Sequence, residues 1–201
     1  GTHLEEYDYL IKGRHVIAGY WIQKEVDNLV RDLQDGRFVY DVEKAHKRIR
    51  FMQTMALQGK APYFGKPLQL LPWQLAFWES VYGFTMADSG LTRFVEVLLE
   101  VSRKNGKSTM LAADGLYDLF VGAGGTDICC ASNDDRQAKL IFEEIAGMRA
   151  RLDPKKAITR QNMARLYNDT RNITVFRLST RTQNKDGFNI SKTYQDESHD
   201  V

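Results

Sequence analysis

Apolar residues along the first sixty positions fall on helical stripes. Ile22, Val26, Leu29, Val30 and Leu33 recur at helical spacing, and Gly36 follows Asp35 as a stop. A second helix is predicted from about Asp41, a capping residue. Val42, Ala45, Ile49, Met52 and Ala56 form its stripe, Lys44, Lys47, Arg48 and Arg50 lie mostly off it, and Gly59 ends it. Residues 59–71, punctuated by Pro62, Gly65 and Pro67, read as a connector. Pro72 then suits the first turn of a helix carrying Trp73, Phe77, Trp78 and Val81.

Beyond that point the period alternates. Residues 94–101 form an apolar run that predicts a strand, 107–120 a helix, and 126–131 a strand. Ser132 or Asn133 would cap a long helix running through Met148. Strand and helix in alternation signal a parallel sheet with right-handed crossovers. After Pro154 the pattern shortens: 164–167 and 173–178 are strand candidates, and 179–189 is a polar loop. The predicted fold class is α/β, a mostly parallel sheet flanked by helices with an N-terminal helical appendage. The expected division is 1–58, a connector over 59–71, and a core over 72–201.

Composition narrows the class. The chain has 201 residues, 43% hydrophobic and 27% charged, a profile that supports one substantial core. No run approaches the roughly 18 apolar residues of a membrane span, and the N-terminus lacks the basic-then-apolar order of a signal peptide. Gly1-Thr2-His3 reads as an expression scar. Cys129 and Cys130 are adjacent in an apolar run, which suits reduced core residues and an intracellular setting rather than a metal site. Lysine and arginine total 28 against 26 acidic residues, yet 151–186 holds nine basic and three acidic residues. Such a block suits contact with phosphates or, equally, a solvated face of hairpins.

The sharpest chemical signal is Ser102-Arg103-Lys104-Asn105-Gly106-Lys107-Ser108-Thr109. A strand, a turn and then a helix opening at Gly-Lys-Ser make a phosphate cradle, because the amides of a helix's first turn have no helical acceptors. Lys107 would reach the β- and γ-phosphates and the Ser108 hydroxyl would sit on Mg²⁺. Arg103 would reach the γ-phosphate. The usual leading glycine is replaced by Val101, so the loop is a variant; an ordinary basic turn is the competing reading.

Hydrolysis also needs a carboxylate for the metal and a group to activate water. Asp196-Glu197 is the candidate pair, one side chain toward the metal and the other toward the γ-phosphate, with a surface acidic pair as the competing reading. The preceding residues 190–195 are polar for a central parallel strand. His199 would bond to the pair, sense the phosphate or face water.

Together these elements resemble the ATPase domain of the large terminase subunit of tailed bacteriophages, the motor that packages double-stranded DNA. The resemblance rests on Pro72-Trp73-Gln74, on Arg103 to Ser108, on Ala131-Ser132-Asn133 with Gln137-Ala138, and on Asp186-Gly187-Phe188-Asn189 followed by Asp196-Glu197-Ser198-His199. It includes the missing leading glycine. It implies that Gln74 contacts adenine with Trp73 positioning it, and that the turn from Arg103 through Lys104, Asn105, Gly106, Lys107, Ser108 and Thr109 binds ATP. It further implies that Ser108 and Asp196 hold Mg²⁺ and that Glu197 activates water. The implied partners are double-stranded DNA, portal, small terminase subunit and further copies of the large subunit, in the host cytoplasm and without a membrane. The family's later sheet strands and C-terminal nuclease domain are absent from this sequence. The chain is therefore expected to be an N-terminal fragment, with little turnover alone. A catalytically silent DNA-binding or docking fragment is the alternative; a helicase or a small-molecule kinase is a third reading.

Overall fold

The computed structural model describes residues 1–102, 104–131, 135–178 and 187–195, without the side chains of 135–138. The chain divides into two compact units: residues 1–50 with 69–100, and residues 51–68 with 101–201. This division differs from the linear scheme of 1–58, 59–71 and 72–201, because the Pro72 helix groups with the N-terminal helices.

The first unit holds α1 (His3–Lys12), α2 (Tyr20–Asp32), β1 (Phe38–Tyr40), the start of α3 (Val42–Met55), α4 (Pro72–Gly83) and β2 (Phe84–Met86). Thr2 and Glu5 form a reciprocal capping box on α1. Asp41 Oδ1 accepts from Lys44 N at 2.9 Å and caps α3 as its position predicts. The core gathers Leu4, Tyr7, Val26, Ala76 and Phe84, with Trp73 and Phe94 packed against it.

One predicted element does not form. No strand is present over 94–101, although the run is apolar. Phe94 is held in the first unit's core, where the Arg93 guanidinium lies over the rings of Phe38, Phe84 and Phe94 and bonds Asp32 at 2.6 Å. The residues that follow gain no ladder partner among the described residues. Val95 and Leu98 are 92% and 82% exposed. Apolar character signals a strand only where a neighbouring strand supplies hydrogen bonds.

The second unit is built on a five-stranded sheet of order β4-β5-β6-β3-β7. Its strands are β3 (Asp127–Ala131), β4 (Arg160–Gln161), β5 (Arg165–Asn168), β6 (Ile173–Arg177) and β7 (Ile190–Gln195). β3 runs parallel to both β6 and β7, while the β4-β5-β6 side is an antiparallel meander. Helices α5 (Lys107–Val121) and α6 (Asp135–Leu152) pack against each other and against the sheet. They pack tightly at Gly115, where a Cβ would lie 2.7 Å from Ile145 Cδ1. Cys129 and Cys130 are buried on β3 and form no disulfide, and burial pushes the Cys130 thiol well above its ordinary range.

The hairpin side braces the helices. Asn168 Nδ2 donates to Leu119 O at 3.0 Å and Arg171 Nη1 to Gly122 O at 3.0 Å, satisfying carbonyls at the C-terminal end of α5. Arg151 Nε donates to Leu57 O at 2.8 Å, and Arg160 pairs with exposed Asp169. Several cations of the 151–186 block therefore serve the fold, whereas Lys155 and Lys156 are exposed.

Asp153 closes α6 onto the following turn. Its carboxylate accepts from the amides of Ala157, Ile158 and Thr159 and from the Thr159 hydroxyl at 2.7–3.0 Å. Burial raises its pKa, but these donors outweigh burial and bring it down to about 2. A carboxyl depressed by folding stabilises above its unfolded pKa of about 3.9 and loses that contribution as pH falls toward 2. Asp153→Ala should cost about 1–3 kcal/mol at pH 7 by urea denaturation, and the difference from wild type should shrink as pH falls from 4 to 2.

Candidate nucleotide site

The turn before α5 has the backbone of an anion cradle. Lys104 and Gly106 both take left-handed conformations, with φ of 68° and 77°. Such a conformation is costless for glycine but not for lysine. Asn105 Nδ2 braces the bend by donating to Ser102 O at 3.0 Å and Ser102 Oγ at 2.7 Å. Met110 N makes the first helical bond to Gly106 O at 3.0 Å, so the amides of Lys107, Ser108 and Thr109 lie ahead of the ladder. No acidic residue stands in the first turn of α5 to repel an anion.

The side chains divide by task. Lys104, Asn105 and Gly106 are exposed at the turn, and Lys107 and Ser108 are half-buried at the helix start. The Thr109 hydroxyl instead donates to Glu144 Oε1 at 3.3 Å, which fastens α5 to α6. Glu144 also pairs with Lys60 at 3.3 Å. Trp73 and Gln74 sit on α4 in the first unit. Gln74 is 6% exposed, and its Oε1 accepts from Leu71 N at 2.9 Å. Arg103, Asp196, Glu197 and His199 lie outside the described residues, as do Asp186 and the Ser132–Asn133 cap.

β7 forms despite its polar sequence, and the structure gives the reason. Its inward positions are Lys192 and Tyr194, while Ser191, Thr193 and Gln195 are exposed. Tyr194 OH donates to Asp114 Oδ2 at 2.6 Å, and Lys192 Nζ pairs with Asp114 Oδ2 at 3.2 Å and with Asp118 Oδ2. Asp114 is 1% exposed. The two carboxylates stand one helical turn apart on α5, so one strand face meets one helix face through charge-assisted bonds. These four residues escape a motif search. Their signal is a pair of acids four apart on an apolar helix and an alternating Lys-x-Tyr on a strand.

At the loop entering β7, Asn189 N donates to Asp127 Oδ2 at 2.8 Å and Asn189 Nδ2 to Gly125 O at 2.9 Å. Phe188 stacks on Phe176 at 4.3 Å between ring centres. The Gly187-Phe188-Asn189 part of the predicted loop thus fixes where β7 begins beside β3.

Residues 72–201, which include the phosphate turn, α5, the sheet and its β7 edge, match the family described as terminase large subunit, ATPase domain. The chain belongs to that family. A crystal structure of the HK97 bacteriophage large terminase has a similar fold, with a TM-score of 0.64 at 23% identity. The match covers 79% of this chain and 32% of that one, so the chain spans about a third of the length of the HK97 protein. No curated protein matches. The α/β fold of this terminase-family chain agrees with that crystal structure. No helix among the described residues is long and apolar enough to cross a membrane.

Breaking the clasp from one side should be costly, since it strands the remaining buried charge. Asp114→Ala should destabilise the chain by about 3 kcal/mol in urea denaturation, and Tyr194→Phe by about 1 kcal/mol. A double-mutant cycle between them should return a coupling of about 1 kcal/mol.

Proposed function

We propose that this chain is the ATP-hydrolysing portion of a DNA-packaging terminase, coupling Mg-ATP hydrolysis to translocation of double-stranded DNA. The observation that supports the reading most directly is the left-handed turn at Lys104 and Gly106, opening onto the amides of Lys107, Ser108 and Thr109. This is the backbone form that surrounds a polyphosphate with N–H donors at the positive end of a helix.

In this reading the amides bind the β- and γ-phosphates, and the Lys107 ammonium neutralises charge that grows on the bridging and terminal oxygens during P–O cleavage. The Ser108 hydroxyl, with Asp196, would hold Mg²⁺, which supplies further neutralisation of the phosphates. Arg103 assists at the γ-phosphate, and Glu197 accepts a proton from the attacking water. Trp73 and Gln74 are assigned to the adenine, as the family resemblance implies. The Asp114–Lys192–Tyr194 contacts tie α5 to β7, the strand that immediately precedes Asp196 and Glu197 in the sequence.

Duplex DNA, portal, small terminase subunit and other copies of the large subunit are the proposed partners, and the host cytoplasm the proposed setting. Exposed Lys155 and Lys156, with Lys44 and Lys47 on α3, are cations available for phosphate backbones.

Lys107→Ala should abolish ATP hydrolysis in the intact subunit, lowering kcat by about a thousandfold, a loss expected of a principal charge-stabilising group. Binding of ATP and release of phosphate should be measured separately, with and without duplex DNA. Unchanged turnover in the variant would remove Lys107 from the mechanism. Binding without turnover in the unaltered subunit would favour the silent docking alternative.

A further inference from the structure

The first unit contains a cluster unrelated to the phosphate turn. His3 at the start of α1, His46 on α3 and Glu79 on α4 each offer a ligand atom, and all these atoms lie within 4.8 Å of one another. His46 Nε2 is 2.5 Å from Glu79 Oε2, and the two imidazole rings are 4.8 Å apart between centres. Two imidazoles and a carboxylate converging from three helices form a donor set suited to a borderline divalent ion.

The surroundings supply what a ligand set needs. Glu79 is fully buried, and its carboxylate is held by four contacts. His3 N and Leu4 N donate to it at 2.9 and 3.0 Å, Tyr40 OH donates at 2.7 Å, and His46 supplies the fourth. Burial and the Glu79 charge raise the Tyr40 phenol pKa, so the phenol remains a donor. Glu6 Oε2 lies 3.6 Å from His3 Nδ1, a second carboxylate beside the cluster. The side chains of His3 and His46 are 28% and 21% exposed, which gives an ion a route in from water.

We propose that His3, His46 and Glu79 bind one zinc ion, with water completing a tetrahedron, and that the ion staples α1 to α3 and α4. Four hydrogen bonds fill the lone-pair positions of the Glu79 carboxylate, so the ion must replace one of them. The bond given up is the one from His46: its ring proton moves to Nδ1, and Nε2 and Glu79 Oε2 turn from each other onto the metal. The amide and Tyr40 bonds to Glu79 persist and keep the carboxylate aimed. Closing ligand atoms from 4.8 Å to the roughly 3.3 Å that a tetrahedron of about 2.0 Å bonds requires is a side-chain adjustment, because His3 and His46 are only partly buried.

The test is zinc titration of the chelator-stripped chain at pH 7.5, with bound metal measured after desalting and the thermal midpoint followed in parallel. One equivalent of zinc should be retained and should raise the midpoint. His3→Ala removes a partly exposed ring while leaving the His3 amide on Glu79, so that variant should fold as wild type and bind zinc at least tenfold more weakly. His46→Gln should do likewise, and His15→Ala, outside the cluster, should bind as wild type. Absence of stoichiometric zinc would overturn the proposal and leave a hydrogen-bonded helix cap, as would wild-type affinity in both His3→Ala and His46→Gln.

Discussion

Asp114 and Asp118 stand one turn apart on a helix whose other buried positions are apolar, and they receive Lys192 and Tyr194 from the last described strand. Two carboxylates in a core are tolerable only when donors reach them, and a strand is tolerable beside them only if it carries those donors on one face. That mutual requirement fixes the register of β7 against β3 and its facing toward α5. The helix that opens at the phosphate turn and the strand that ends before the acidic pair are therefore parts of one bonded assembly.

The same economy runs through the rest of the second unit. Several polar side chains answer orphans of the backbone: buried Asn168 and exposed Arg171 at the end of α5, buried Asp153 at the end of α6, and exposed Asn189 at the entrance to β7. Arg151 and Arg171 are committed to backbone carbonyls and Arg160 to Asp169, so a count of basic residues in 151–186 overstates what remains for a nucleic-acid backbone. In the first unit Glu79 does the corresponding work by accepting the leading amides of α1, and the histidines around it give that carboxylate a second potential.

Long amphipathic elements were legible because burial on one side imposes a period that local sequence must obey. The stripe from Ile22 to Leu33, the Asp41 cap, Pro72 at a helix start and the β5–β6 hairpin all appear where the pattern puts them. The turn before α5 was legible for a different reason: Gly106 takes a left-handed conformation there, and Lys107-Ser108 follow at a helix N-terminus. The 94–101 run misled because apolar content says nothing of which strand, if any, will supply hydrogen bonds. The 190–195 strand was undervalued because its polarity is answered by residues some eighty positions away.

Sequence by itself determined helices α2 to α6, the glycine turn that opens α5 and the terminase kinship, since these depend on short-range spacing and motifs. Tertiary structure alone decided the grouping of 69–100 with the N-terminal helices, the clasp of Lys192 and Tyr194 on Asp114, and the meeting of His3, His46 and Glu79. Such pairings join residues far apart in the chain, and no local period encodes which distant partner will satisfy a buried charge.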